Sequence, residues 1–232
     1  MKNRYGIDIW SDDNFFIEDG VVKVNYKPYP SLIKIVKDVR KQGFKGPLLL
    51  RFPHITKKQV KTLFNTFNAS IKEYDYKGKF NAVFPLKVNQ LPNFIHPLVA
   101  AGKKYNYGLE AGSKAELVIA MTYNNMGSPI TINGFKDKEM IHLCFIAKSM
   151  GHDITVIIEG LNELEMILEV LKETKMEAPN VGLRVRLHSG GSGVWAKSGG
   201  IDSKFGLTST EILEAFELMQ ENELQDLLTM IH

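Results

Sequence analysis

The sequence predicts an α/β protein: a (β/α)8 TIM barrel, incomplete in this chain and preceded by a short β-rich segment. Three observations predict it. Short apolar runs alternate with helical patterns from about residue 46 onward, as in parallel strands joined by βα units. The runs are continuous, as expected of strands covered on both faces. Seven of them can be counted, where a closed barrel of this kind needs eight.

The elements follow in order. Phe15, Phe16 and Ile17 lead into Glu18-Asp19-Gly20 and then Val21-Val22-Lys23-Val24, two β-rich runs around an Asp-Gly turn that read as a hairpin. Ser31 opens a helical pattern carrying Leu32, Ile33, Ile35, Val36 and Val39, with Gly43 near its stop. The first strand of the alternating region is expected at 48–52 and its helix at 57–74. Strands at 81–86, 107–111, 129–133, 154–159 and 181–186 are followed by helices at 91–101, 113–123, 137–150, 161–175 and, after a long loop, 209–221. A last run at 227–231 reads as the seventh strand. Two regions are expected: a hairpin-and-helix segment over 1–45 and the barrel over 46–232. Because the chain stops just after that strand, it reads as truncated, with an unpaired edge.

Composition excludes several functions. Apolar residues make up 44% of the 232 and charged residues 24%, an ordinary globular balance. The net charge is only +3 and the basic residues are dispersed, so neither nucleic acid nor a membrane surface has electrostatic support. No apolar run reaches membrane-spanning length, and no apolar leader follows Met1. The single cysteine, Cys144, rules out a disulfide framework within the chain, favours a cytoplasmic home and reads as a small buried hydrophobe.

In a TIM barrel the active site lies at the C-terminal ends of the strands. That rule nominates Arg51, Lys87, Glu110, Asn133, Glu159, Arg184 or Arg186, and His232. Lys87 follows Val83-Phe84-Pro85-Leu86 at a strand mouth, where desolvation favours a neutral amine able to form a Schiff base; the plain alternative is a solvated strand cap. Glu116 has a competing duty, since Ser113 reads as a helix N-cap and Glu116 stands at its capping-box position. Glu110, at the strand end, has no such duty. The loop 187–206 contains Ser189-Gly190-Gly191-Ser192-Gly193 and Ser198-Gly199-Gly200, which can cradle phosphate through backbone N–H groups or simply be flexible. The six histidines show no metal-ligand spacing.

Three segments carry a resemblance. They are residues 73–90, ending in Phe84-Pro85-Leu86-Lys87-Val88-Asn89-Gln90; Gly108-Leu109-Glu110-Ala111-Gly112-Ser113-Lys114-Ala115-Glu116-Leu117; and Gly182-Leu183-Arg184-Val185-Arg186-Leu187 with the glycine loop and Phe205-Gly206-Leu207. Together they resemble the biosynthetic arginine decarboxylases, over the whole chain; Phe84 and Leu86 stand where that family usually has Tyr and Ile. The resemblance implies an alanine racemase-like barrel that binds pyridoxal 5'-phosphate (PLP). It implies decarboxylation of L-arginine to agmatine and CO2, feeding polyamine (spermidine) biosynthesis. Lys87 is then the cofactor lysine, and Glu110, Glu116 and Arg184 are cofactor-site residues. The family is usually associated with Mg2+ and with oligomers, a dimer or larger. It implies that the ring-stacking histidine, the phosphate loop and the substrate-binding residues lie beyond His232, so this piece alone is expected to be inactive. The alternatives are another PLP-barrel decarboxylase such as a diaminopimelate decarboxylase, a non-catalytic PLP-binding barrel, or a lysine Schiff-base aldolase without PLP.

Overall fold

The computed structural model describes residues 6–187 and 205–232. They group into two compact units, one ending at Thr62 and the other spanning Leu63–His232. The division falls inside a helix, later in the chain than the 45/46 boundary expected from the sequence.

In the first unit a short helix α1 (Ile7–Trp10) precedes a hairpin of β1 (Phe15–Glu18) and β2 (Val21–Val24). The strands pair antiparallel from Phe15↔Val24 to Glu18↔Val21. Asp19 and Gly20 both have positive φ, 53° and 74°, as a two-residue turn matching the strands' twist requires. Helix α2 (Leu32–Lys41) begins where Ser31 predicts it: the Ser31 hydroxyl accepts from the Lys34 N–H, and Arg40 and Lys41 sit at the negative end of the helix dipole.

The strand expected at 48–52 is absent. Its residues take irregular backbone, Leu49 is 77% exposed, and the run joins no ladder among the described residues. An apolar run becomes a strand only when a neighbour completes its hydrogen bonds, and here the chain turns at once into α3 (Pro53–Glu73), four residues earlier than the pattern suggests. Among the described residues the seven expected strands are therefore six.

The second unit contains those six: β3 (Val83–Pro85), β4 (Gly108–Ala111), β5 (Pro129–Ile132), β6 (Asp153–Ile158), β7 (Asn180–Leu183) and β8 (Leu228–Ile231). They lie in chain order in one sheet, every pair parallel. Helices α4 (Pro92–Gly102), α5 (Lys114–Tyr123), α6 (Lys138–Ser149), α7 (Leu161–Thr174) and α8 (Ser209–Glu221) alternate with them. Side chains alternate across each strand. Leu109, Ile130, Ile132, Ile154, Val156, Ile158, Val181 and Leu183 form one face, each at most 1% exposed. Helices α5, α6 and α7 pack against these strands.

The opposite face mixes polar and apolar side chains. Glu110, Thr131, Thr155 and Asn180 stand level across four strands. They line a cavity of about 370 Å³ that Val83 of β3 and Met230 of β8 also line. One cavity touched by the first and last strands of a six-stranded sheet requires the sheet to curl toward barrel closure. Crowding inside the curl explains Gly182, where an added Cβ would lie 2.6 Å from Ile157 Cδ1 and 3.2 Å from Met230 Cβ. The expectation of strands apolar on both faces thus holds fully for the helix-covered face and in part for the inner one, where Ile157, Val83 and Met230 stand beside the polar side chains.

Cys144 is fully buried in α6, and burial pushes its thiol up to about 12. It is inert, as its apolar surroundings suggested.

Candidate active site

Lys87 sits just past β3, where its backbone is tied twice. Leu86 N–H donates to Glu110 O at 2.9 Å, extending the β3–β4 ladder, and Val88 N–H donates to Pro85 O at 3.0 Å, closing a turn around the lysine. Leu86 is fully buried, so the turn has an apolar anchor, while Lys87 itself is exposed. Its amine makes no hydrogen bond or ion pair among the described residues. Nucleophilic attack on a carbonyl carbon needs an amine that is accessible and not committed to a carboxylate. Lys87 meets both conditions, though as an exposed amine and not the desolvated one expected at a strand mouth, and the site fits a carbonyl cofactor held by this lysine.

Glu116 reaches the same turn from the other side. It is 7% exposed, and its Oε1 accepts from Gln90 Nε2 at 2.8 Å. Its Oε2 accepts from Gly112 N–H at 2.7 Å. The capping-box expectation is half met. Ser113 Oγ does accept from Glu116 N–H, at 3.3 Å. The glutamate, however, reaches past the cap to the N–H of the preceding residue, so the carboxylate fixes the strand-to-helix corner and, through Gln90, the segment following Lys87.

Glu110 is not part of that cluster. It lies level with Pro85, two residues below the strand mouth, and lines the cavity inside the curled sheet. Arg184 stands at the end of β7 and donates from its NH1 to Glu159 Oε1 at 2.7 Å. Its guanidinium lies 5.3 Å from the Phe205 ring centroid. Glu159 is 11% exposed and Arg184 32%, a part-buried pair with the arginine still reachable. Two strand-end nominees, drawn from the sequence separately, are thus partners. Arg186 is spent otherwise: its guanidinium donates to Gly206 O at 3.0 and 3.2 Å, pinning the chain where it resumes beyond the glycine-rich stretch. That stretch lies outside the described residues.

A second buried glutamate escaped the sequence reading. Glu163, at the third position of α7, accepts from Glu159 N–H at 2.8 Å through Oε2. Its Oε1 pairs with Lys136 Nζ at 3.1 Å, the two side chains being 9% and 0% exposed. Lys136 also donates to Gly134 O. Burial pushes the Glu163 carboxyl above the usual range, against the pull of Lys136. A lysine four residues past a strand reads as solvated, and its partner lies far along the chain; only the Glu163 spacing from Gly160, matching Glu116 from Ser113, hints at the arrangement.

No group of three or more His, Cys, Asp and Glu side chains able to hold a metal ion occurs among the described residues. None of the described helices is long and apolar enough to cross a membrane.

Residues 58–231 match the domain described as "Pyridoxal-dependent decarboxylase, pyridoxal binding domain". Biosynthetic arginine decarboxylases from Bacteroides thetaiotaomicron and Geobacter sp. (strain M21) are 39% and 40% identical over 236 residues, covering 100% and 98% of this chain. The chain spans 37% of the length of each of these relatives. The crystal structure of the biosynthetic arginine decarboxylase from Campylobacter jejuni is 57% identical with a TM-score of 0.89, over 98% of this chain and 36% of that one. A diaminopimelate decarboxylase from M. jannaschii shares the fold at a TM-score of 0.69, with 22% identity over 95% of this chain and 47% of its own.

Proposed function

The chain belongs to the pyridoxal-dependent decarboxylases through their pyridoxal-binding domain, and on that premise we propose that it carries the cofactor-lysine part of an enzyme converting L-arginine to agmatine and CO2. The observation that carries the reading is Lys87: an accessible amine with no partner among the described residues, on a doubly tied turn at a strand mouth. The preference for arginine is supported by identity of 57% to an arginine decarboxylase, against 22% to a diaminopimelate decarboxylase of the same fold.

Bound PLP supplies the electron sink for the bond that releases CO2. The chain's own residues hold and orient it in part. Lys87 Nζ is the group that would hold the cofactor through its carbonyl carbon, and its amine would carry a proton at the strand mouth. Glu116 and Gln90 keep the Lys87 segment in register with the β4–α5 corner. Arg184, neutralised by Glu159, offers its remaining guanidinium donors to an anion such as phosphate or carboxylate. Glu110 places a carboxyl group in the interior of the curled sheet. The resemblance extends the reading to polyamine synthesis, a cytoplasmic enzyme and an assembly of at least two chains; magnesium rests on the resemblance alone.

The test is made on the longest natural chain containing these 232 residues. It is incubated with PLP, reduced with borohydride and mapped by mass spectrometry, and agmatine is assayed from L-arginine. A pyridoxyl group on Lys87, lost together with activity in Lys87→Ala, is the expected result. Agmatine formation with the label on another lysine would overturn the assignment.

A further inference from the structure

Two carboxylates and two cations form a line from the sheet's flank to its mouth: Lys136 on Glu163, Glu163 on the backbone of Glu159, and the Glu159 side chain on Arg184. We propose that Glu163 is a positioning residue: held by the buried Lys136, it fixes the backbone of Glu159 and thereby the Glu159–Arg184 pair at the strand mouth. This rests on the reading of that mouth as a cofactor and substrate site.

Three observations carry it. Lys136 is fully buried, yet it reaches the site's flank from a loop that could have left it in solvent. A buried ion pair is weak evidence for stability, since apolar residues of similar volume often serve as well; its retention here needs another reason. Glu163 spends one oxygen on each neighbour, so neither Lys136 nor the Glu159 N–H is left unpaired. Lastly, Glu159 is the first residue beyond β6, so its backbone sets where its carboxylate meets Arg184. Besides this carboxylate, the Arg184 guanidinium lies over the Phe205 ring, a contact that does not fix its donors. A displacement of about 1 Å in such a group can lower turnover by roughly a hundredfold.

The experiment separates holding the fold from placing the arginine. The double variant Lys136→Met with Glu163→Leu removes both charges and leaves an apolar pair, in the longest natural chain loaded with PLP. Three readouts are taken: the unfolding midpoint, kcat/KM for L-arginine, and the rate at which phenylglyoxal modifies Arg184, mapped by mass spectrometry. The expected result is a midpoint near wild type, kcat/KM lower by about tenfold or more, and faster modification of Arg184 as Glu159 lets go. Wild-type values in both functional readouts would overturn the proposal, and so would lost activity with Arg184 reacting at its old rate. If the double variant fails to fold, Glu163→Gln decides. It keeps an oxygen for the Glu159 N–H but loses the charge that Lys136 holds, so it is expected to raise the Arg184 rate; a wild-type rate overturns the proposal. Should the wild-type chain not act on arginine, the functional reading fails, while the Arg184 rate still decides the positioning.

Discussion

The corners β4–α5 and β6–α7 use the same device with different partners. Both helices carry a glutamate at their third position, Glu116 and Glu163, that accepts from the N–H of the residue before the cap, Gly112 and Glu159. Helix α8 shows the ordinary alternative, in which Glu211 bonds the N–H of the cap residue Thr208 itself. Reaching one residue further back turns a helix cap into a clamp on the strand end, where a barrel keeps its chemistry. The second oxygen distinguishes the two. Glu116 takes a neutral amide, Gln90, and so ties in the Lys87 segment. Glu163 takes a buried ammonium, Lys136, and governs the strand end beside Arg184. The comparison teaches that one backbone geometry can be secured either by a hydrogen bond or by charge, with very different consequences for losing a partner.

The largest effect should come from breaking the charged corner on one side. Lys136→Met leaves Glu163 buried with an unmatched carboxylate, a loss of about 3–5 kcal/mol. Chemical denaturation at neutral pH measures it, and proton uptake by Glu163 should shrink the loss in acid. A loss under about 1 kcal/mol would mean that the pair is exposed in solution.

The neutral corner should lose less. Glu116→Leu removes the acceptor of the Gly112 N–H and frees Gln90; Gly112 is exposed, so water can take over part of the bond and the cost is about 1 kcal/mol. Glu116→Gln, which keeps one acceptor, should recover part of it. Equal unfolding midpoints for the Leu and Gln variants would show that the carboxylate does not hold the corner.

How far these corners were legible follows from the range of the interactions. The caps were local and readable: Ser113 and Ser31 lie where sequence places them, because a cap involves residues three apart. The helix-covered sheet face was readable too, since Ile154, Val156 and Ile158 need only an apolar environment. Lys87 and the strand-end residues Glu159 and Arg184 followed from fold and position. Their pairing did not, because it depends on β6 and β7 lying side by side. Lys136 was invisible, since nothing near it in the chain marks a lysine as buried. The expected strand at 48–52 failed for the converse reason: its residues fit a ladder, but no partner strand pairs with it among the described residues.

Gln90→Ala tests the neutral corner from its far side, and its effect should be smaller. It removes one bond from an exposed amide to a carboxylate, which solvent screening holds to about 0.5–1 kcal/mol. Gly112 keeps its acceptor, so the corner itself should stand. What should change is the Lys87 segment, seen as slower borohydride-fixed labelling at subsaturating PLP. Slower labelling with little loss of stability would separate the placing of Lys87 from the holding of the corner; unchanged labelling would leave Gln90 with no part in the site.

The smallest effect is on pH dependence. Burial holds the Glu163 carboxyl above its ordinary 4.5, so the folded state keeps this proton longer than the unfolded chain does. The stabilisation is complete below 4.5 and is lost as pH rises through the folded value. Glu163→Gln cannot titrate, so wild type should lose stability relative to this variant as pH climbs from about 4.5 toward neutrality. Urea midpoints of the two proteins at intervals across that window give the difference directly. A difference that instead favours wild type as pH rises would mean that the attraction of Lys136 outweighs the desolvation of the carboxylate, and that the charged corner is the more secure of the two.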